Sequence, residues 1–249
     1  MQAVPTYIVT GATRGIGRAV ALELADRGFR VFAVGRSTEL LGSLSELSGP
    51  RLTTVQADFA TRSGVAQVTA SVQNESVIDG IVHSAGSLVP LEPYEKIDAD
   101  ELAEHFRVHV GAPIELFQSV SLNHTVKRIM YIDSYSASTP RQGWGAYSIV
   151  KAASQMAARS AAQELSETRV IRVFPGAVNT QVVDAVLASK TDTASTFAKM
   201  LEKGELAEPE QVARFLVAVL VHAPDELICA RESFDYNNPD DRSEIARFQ

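Results

Sequence analysis

The stretch Tyr7-Ile-Val-Thr-Gly-Ala-Thr-Arg-Gly-Ile-Gly17 joins a short apolar run to a glycine-rich turn, after which Ile16, Val20 and Leu24 recur at helical spacing up to Gly28. A strand that passes through glycines directly into a helix has a physical use. Gly11, Gly15 and Gly17 permit a tight turn and close approach of the main chain to a ligand, and the helix N-terminus attracts a pyrophosphate. The spacing is Gly-x-x-x-Gly-x-Gly, with Thr13, Arg14 and Ile16 between the glycines. Glycine-rich turns also serve purely structural ends. The position of this one, between a strand and a helix, points to nucleotide binding.

Outward from that turn the same rhythm repeats. Val31-Phe-Ala-Val34, Leu52-Thr-Thr-Val55, Gly80-Ile-Val82, Arg128-Ile-Met-Tyr-Ile132 and Val170-Ile-Arg-Val-Phe174 read as buried strands, with helical patterns at 62–74, 99–122, 145–166 and 208–222 between them. A weaker helix is expected around Glu39 to Leu47, and Leu227-Ile228-Cys229 is read as a last strand. Near-continuous apolar strands separated by helices predict an α/β fold whose parallel sheet is covered on both faces. With no linker, repeat or low-complexity tract, residues 1–249 read as a single doubly wound domain. Residues 179–207, with the run Ser189-Lys-Thr-Asp-Thr-Ala-Ser-Thr196, break the rhythm and read as a substrate-loop insertion, loop or small helix.

Composition limits the partners. A hydrophobic fraction of 45% and a charged fraction of 21% are those of an ordinary globule. The net charge of −7 argues against a nucleic-acid backbone or an anionic membrane. Cys229 is the only cysteine, so no intrachain disulfide forms. With neither a secretory signal nor a membrane span legible, a cytoplasmic location is expected.

The end of the second strand bears on cofactor choice. An acid there accepts from a ribose 2′-hydroxyl, whereas an arginine accommodates a 2′-phosphate. Here the strand ends Val34-Gly35-Arg36-Ser37, and Arg36 with Arg14 forms a candidate two-pronged phosphate clamp, favouring NADP over NAD. Ala57-Asp58-Phe59 offers a carboxylate to an adenine amino group, although Asp58 reads equally as the cap of the next helix. His83-Ser84-Ala85-Gly86 lets the chain pass close to the cofactor.

Tyr147 and Lys151, in Tyr-Ser-Ile-Val-Lys, lie four residues apart and share one helical face. An ammonium beside a phenol stabilises the phenolate and lowers a pKa otherwise near ~10, so this pair suits proton transfer to or from a reacting oxygen. Ser134 lies upstream; Ser136 and Ser138 are competing hydroxyls in the same loop, better read as satisfying main-chain groups.

Together, Thr10 to Gly17, Asp58, Ser84-Ala-Gly86, Ser134, Tyr147-Ser-Ile-Val-Lys151 and Pro175-Gly-Ala-Val-Asn-Thr180 resemble the short-chain dehydrogenase/reductase family from about residue 5 to 225. The resemblance implies a Rossmann-like domain with a seven-stranded parallel sheet. It makes Tyr147 the proton donor in carbonyl reduction, Lys151 the residue that binds the nicotinamide ribose, and Ser134 the one that orients the carbonyl. Pro175, Gly176, Val178 and Thr180 would line the nicotinamide. The same resemblance implies a homodimer or homotetramer, with the alanine-rich helix from Tyr147 at an interface or packed within the monomer.

The chain departs from the family pattern in three places. His109 stands where the family carries an asparagine that supports a water-mediated proton relay through Lys151. The imidazole either replaces that support or simply packs. Ser84 replaces a second asparagine. The tail 230–249 lacks the usual ending and reads as a polar extended arm on a neighbour or on the domain surface. His105 and His109 are spaced i, i+4, but no acidic residue completes a metal motif and no metal is expected.

These readings converge on an NADP(H)-dependent reductase acting on a small carbonyl or secondary alcohol substrate. The rival is a dinucleotide-binding regulator that keeps the fold without catalysis; a sugar-nucleotide epimerase would need a larger C-terminal substrate domain. Leu88, Val89, Tyr135, Trp144 and Phe197 are candidate pocket walls.

Overall fold

The computed structural model describes residues 4–88, 91–189 and 191–248; Val89 lies outside them. Among the described residues nine strands form in chain order: β1 Thr6–Thr10, β2 Arg30–Gly35, β3 Leu52–Gln56, β4 Val77–Ile78, β5 Gly80–His83, β6 Thr125–Val126, β7 Arg128–Ile132, β8 Arg169–Phe174 and β9 Phe234–Asp235. The helices are α1 Gly15–Asp26, α2 Thr38–Leu47, α3 Arg62–Ser71, α4 Ala99–Phe106, α5 Ala112–Ser121, α6 Gly145–Glu164, α7 Gln181–Ala188, α8 Asp192–Glu202, α9 Pro209–His222, α10 Asp225–Ala230 and α11 Pro239–Ile245.

Seven strands make one sheet in the order β3-β2-β1-β5-β7-β8-β9, every pairing parallel, while β4 and β6 form a separate short pair. Successive side chains of a strand alternate faces, and each face has its own core. Val9, Ala33, Val82 and Met130 pack with α1 and α9 on one side. Ile8, Phe32, Ile81 and Ile129 pack with residues of α3, α5 and α6 on the other. This is the Rossmann-like, doubly wound architecture expected from the sequence. The chain winds outward from β1 in both directions, which opens a crevice beyond the carboxyl ends of β1 and β5, the usual ligand position in such sheets.

Two expectations fail toward the C-terminus. Leu227, Ile228 and Cys229 lie in α10, not in a strand. Pro224 precedes that helix and Asp225 and Glu226 occupy its first turn, where negative charge favours the helix N-terminus. The last strand is β9 instead, so the tail is no extended arm. Phe234 and Ile245 are apolar anchors in the core, and the carboxylate of buried Asp241 receives Arg231 at 2.7 Å and the Asp235 amide at 2.7 Å. Residues 179–207 are chiefly the helices α7 and α8.

Candidate active site

The crevice begins at the glycine turn. Gly11 has φ +67°, and a Cβ on Gly17 would overlap the Gly11 carbonyl, so the turn closes only with glycine there. Thr13 packs on Gly35, which brings the turn beside the end of β2. Thr10 Oγ1 accepts from the amides of Ser84 at 3.2 Å and Ala85 at 3.0 Å, tying the β1 and β5 loops together. The Ser84 hydroxyl abuts Gly17, and Thr180 abuts Gly15. Four separate sequence segments thus converge on the start of α1. That helix has no side-chain cap and no acidic residue in its first turn. Its free amides and positive end suit a pyrophosphate, so the residues present fit a dinucleotide.

At the outer edge Arg36 is exposed and makes no ion pair among the described residues. Arg14 is exposed too, with Nη1 donating to Gln181 Oε1 at 2.7 Å. Asp58 Oδ1 accepts from the Ala60 amide at 3.0 Å, whereas the cap of α3 is Thr61, whose hydroxyl accepts from Gly64 at 3.1 Å. The alternative role of Asp58 as helix cap is therefore not taken up. Phe59 puts its ring into the core, leaving Asp58 as the half-buried polar side chain at this strand end. Ile16 packs against the opposite core, and Val178, also buried, bridges to Ala207. Pro175 is buried and Gly176, at φ +75°, turns the chain against Asn237.

Beyond the end of β7 stands the second half of the site. Ser134 is half-buried, and its hydroxyl accepts from the Ser136 amide at 3.2 Å while also facing the Tyr147 phenol. Tyr147, Lys151 and Gln155 lie on successive turns of α6, on the face toward β7. Lys151 Nζ donates to the Ile132 carbonyl at 2.7 Å. Burial pulls the ammonium down to about 8, against the opposing charge of Asp133. The Tyr147 phenol behaves contrary to expectation. Burial pushes it up, a hydrogen bond from Ser134 opposes the rise, and the Asp133 charge adds to it. Desolvation of the phenolate is the largest of these effects, and the Lys151 ammonium is not among them.

His109 sits in a π-helical turn, Arg107–Gly111, between α4 and α5. Such single-turn bulges shift the side chains that follow and recur at functional sites. Its ring stands perpendicular to that of Tyr147, centroids 6.4 Å apart. His109 Nε2 lies 3.2 Å from the Ser87 carbonyl. A carbonyl only accepts, so Nε2 carries the hydrogen and Nδ1 is left as an acceptor. Burial, then the Lys151 charge, hold this imidazole down to about 3, with the Ser87 bond opposing, so it is neutral near pH 7. Gly86 makes room for it: a Cβ there would overlap the imidazole. Trp144 meets Tyr147 edge-on at 5.7 Å and stacks on Phe197 of α8 at 6.5 Å, giving the site an aromatic wall.

Three residues of this region went unread in the sequence. Asp133, Gln155 and Arg172 form a buried polar cluster directly behind Ser134. The signal for it was an arginine inside the apolar run Val-Ile-Arg-Val-Phe, since a charge placed in a central strand requires a partner.

Residues 5–191 match the short chain dehydrogenase family. The chain belongs to the short-chain dehydrogenase/reductase family. Its relatives include the benzil reductase ((S)-benzoin forming) of Bacillus subtilis, 28% identical over 231 residues, covering 86% of this chain and 92% of that one. Among solved structures the KRED1-Pglu enzyme is 25% identical with a TM-score of 0.83, covering 90% of this chain and 98% of that one. A Beutenbergia cavernae protein solved with NADP at low occupancy is 27% identical with a TM-score of 0.75, covering 93% and 94%. This short-chain dehydrogenase/reductase is thus an oxidoreductase by family. Among the described residues no helix is long and apolar enough to cross a membrane, and no group of three or more metal-ligating side chains assembles.

Proposed function

We propose that the protein is an NADP(H)-dependent carbonyl reductase, reversible as a secondary-alcohol dehydrogenase. The observation that carries this reading is the meeting of Ser134, Tyr147 and Lys151 at the crevice whose other end is the uncapped start of α1. A bound nicotinamide cofactor supplies the hydride, and the chain supplies position and a proton.

The turn Gly11 to Gly17 with Ser84, Ala85 and Gly86 holds the dinucleotide's phosphates and ribose, and Asp58 receives the adenine amino group. Pro175, Gly176, Val178 and Thr180 flank the nicotinamide. Arg36 and Arg14 flank the 2′-phosphate. Arg36 is free of ion pairs among the described residues, which leaves its fork available for a phosphate. The preference for NADP rests on that pair, and the NADP-bound Beutenbergia relative is consistent with it.

Ser134 donates a hydrogen bond to the carbonyl oxygen and orients it. Tyr147 passes its phenolic proton to that oxygen as the carbon is reduced. Because burial keeps the phenol protonated well into the alkaline range, the donor form is the resting form. Lys151, with two N–H donors beyond its bond to Ile132, would hold the nicotinamide ribose and carry the replacement proton. His109, neutral and with Nδ1 as acceptor, holds the water that feeds Lys151, as the family's asparagine would. The aromatic wall of Trp144, Tyr147 and Phe197 favours a ketone bearing an aryl group, in keeping with the benzil reductase relative. Ile149 and Met156, 42% and 57% exposed on α6, supply an apolar face for a homo-oligomer.

The test is NADPH oxidation with a panel of aryl and alkyl ketones by the unsubstituted chain and by Tyr147→Phe. Turnover by the first and its loss in the second, with NADPH binding retained by fluorescence, supports the reading. Binding without turnover by either protein makes the chain a dinucleotide-binding regulator.

A further inference from the structure

We propose that Asp133, gripped by Arg172 and Gln155, is a positioning residue that sets where the Ser134 hydroxyl stands relative to Tyr147. The geometry is specific. Asp133 Oδ1 accepts from the Ser134 amide at 2.7 Å. Oδ2 receives Arg172 Nε at 3.0 Å, Arg172 Nη2 at 2.8 Å and Gln155 Nε2 at 3.1 Å. One carboxylate therefore holds the backbone of Ser134, a neighbouring strand and the helix of Tyr147 at once.

The contacts of α6 show what is being aligned. Tyr147, Lys151 and Gln155, at i, i+4 and i+8, meet Ser134, the Ile132 carbonyl and Asp133 respectively. Three turns of one helix are thereby registered on the last residue of β7 and the two that follow it. A half-turn slip of α6 would separate the hydroxyl from the phenol; Gln155 joins α6 to Asp133 directly, while Arg159 reaches Arg172 only through Glu232 at 3.3 Å.

Stability does not account for the pair. The side chains of Arg172 and Asp133 are only 6% and 3% exposed. Removing two charges from water offsets most of their attraction, and apolar residues of like volume would hold the strands at least as well. What the pair provides that apolar residues do not is a directed hydrogen bond to Ser134 and a fixed negative charge near Tyr147. The other charged and titratable groups around it are Lys151 on α6, Glu232, which meets Arg172 Nη1 at 3.2 Å, Arg159 of α6, which meets Glu232 at 3.3 Å, and His109 across the Tyr147 ring.

This inference rests on the reading of Tyr147 as proton donor, so its test includes a measurement independent of turnover. The Tyr147 titration is followed by NMR of ring-13C tyrosine, its signal assigned by its loss in Tyr147→Phe, in the unsubstituted chain, Asp133→Asn, Asp133→Asn with Arg172→Met, and Gln155→Leu. In Asp133→Asn the Tyr147 titration moves to lower pH, because a negative charge is gone and the guanidinium is left. In the double variant, where both charges leave together, it returns toward the unsubstituted position. Activity follows position: kcat falls about 10- to 100-fold in Asp133→Asn and about tenfold in Gln155→Leu, with KM for NADPH unchanged. If Asp133→Asn alone fails to fold, the double variant and Gln155→Leu decide by their kcat. Unchanged kcat in those two overturns the inference, as does a folded Asp133→Asn whose Tyr147 titrates like the unsubstituted chain. If no protein turns over any ketone, the reductase reading falls, and the Tyr147 titration alone decides the role of Asp133.

Discussion

Lys151 Nζ is anchored to the main-chain carbonyl of Ile132 at 2.7 Å, so the ammonium is registered on β7 and not on the phenol four residues before it. One of its three N–H donors is spent there, which leaves two to meet a ribose. Replacing Lys151 with Met is expected to lower kcat by about 10²- to 10⁴-fold, the range of a lost proton-transfer group. The circular dichroism spectrum should stay native, since the Ile132 carbonyl is the one hydrogen-bond partner left behind. A variant with full turnover would remove Lys151 from the mechanism.

The direction of reaction should set the pH profile. Reduction needs the protonated phenol, which burial stabilises, so it persists through neutral pH and falls only in alkaline solution. Oxidation needs the phenolate and rises with pH over the same range. Lys151, pulled down to about 8, loses its charge as pH rises through that value, so KM for the cofactor should climb there in both directions. Initial rates from pH 6 to 10 in each direction are the check.

Buried histidines make the fold acid-sensitive. Burial holds both His83 and His109 down to about 3, while an unfolded imidazole titrates at 6.5. Below pH 6.5 the unfolded chain takes up protons that the folded chain refuses, so stability is lost as pH falls from 6.5 toward 3. Each histidine contributes a slope of about 1.4 kcal/mol per pH unit in that window. His109→Asn should flatten the urea-midpoint profile by one histidine's share while preserving turnover. Lost turnover with a flattened profile would mean the imidazole does more than hold water.

Arg36→Asp is expected to raise KM for NADPH by about 10- to 100-fold, the worth of a charge-assisted hydrogen bond together with its replacement by repulsion, and to leave NADH use unchanged or improved. Equal effects on both cofactors would dismiss the phosphate clamp.

Phe197→Ala removes the outer plate of the stack on Trp144. KM for an aryl ketone should rise about 2- to 10-fold, as a lost aromatic pair predicts, with little change for a small aliphatic ketone. A uniform change across the panel would assign Phe197 to packing alone.

Much of this was legible because local chemistry and global fold agree. The glycine turn opens α1, the apolar runs are strands, and Tyr147 and Lys151 share a helical face as their spacing required. What stayed hidden depends on contacts between distant segments. Asp133 and Arg172 are 39 residues apart and meet only because β7 and β8 pair in register, which no periodicity reveals. The lowered phenol pKa expected from the Tyr147 and Lys151 spacing fails for the same reason: spacing shows adjacency, but burial, a property of the whole fold, dominates the phenol. At α10 the apolar Leu-Ile-Cys was too short to distinguish strand from helix by pattern, and Pro224 with the acids after it was the deciding local signal.

The imidazole of His109 fills the volume that a side chain at position 86 would need. The two positions are therefore coupled in any mutational path. A side chain at 86 is barred twice, by the imidazole and by a backbone φ of +153° that favours glycine, so a histidine at 109 is open only to a sequence that already has glycine at 86. The dependence runs one way: a smaller residue at 109 asks nothing of 86, whereas the glycine of the loop after β5 sets what the π-helical turn can carry.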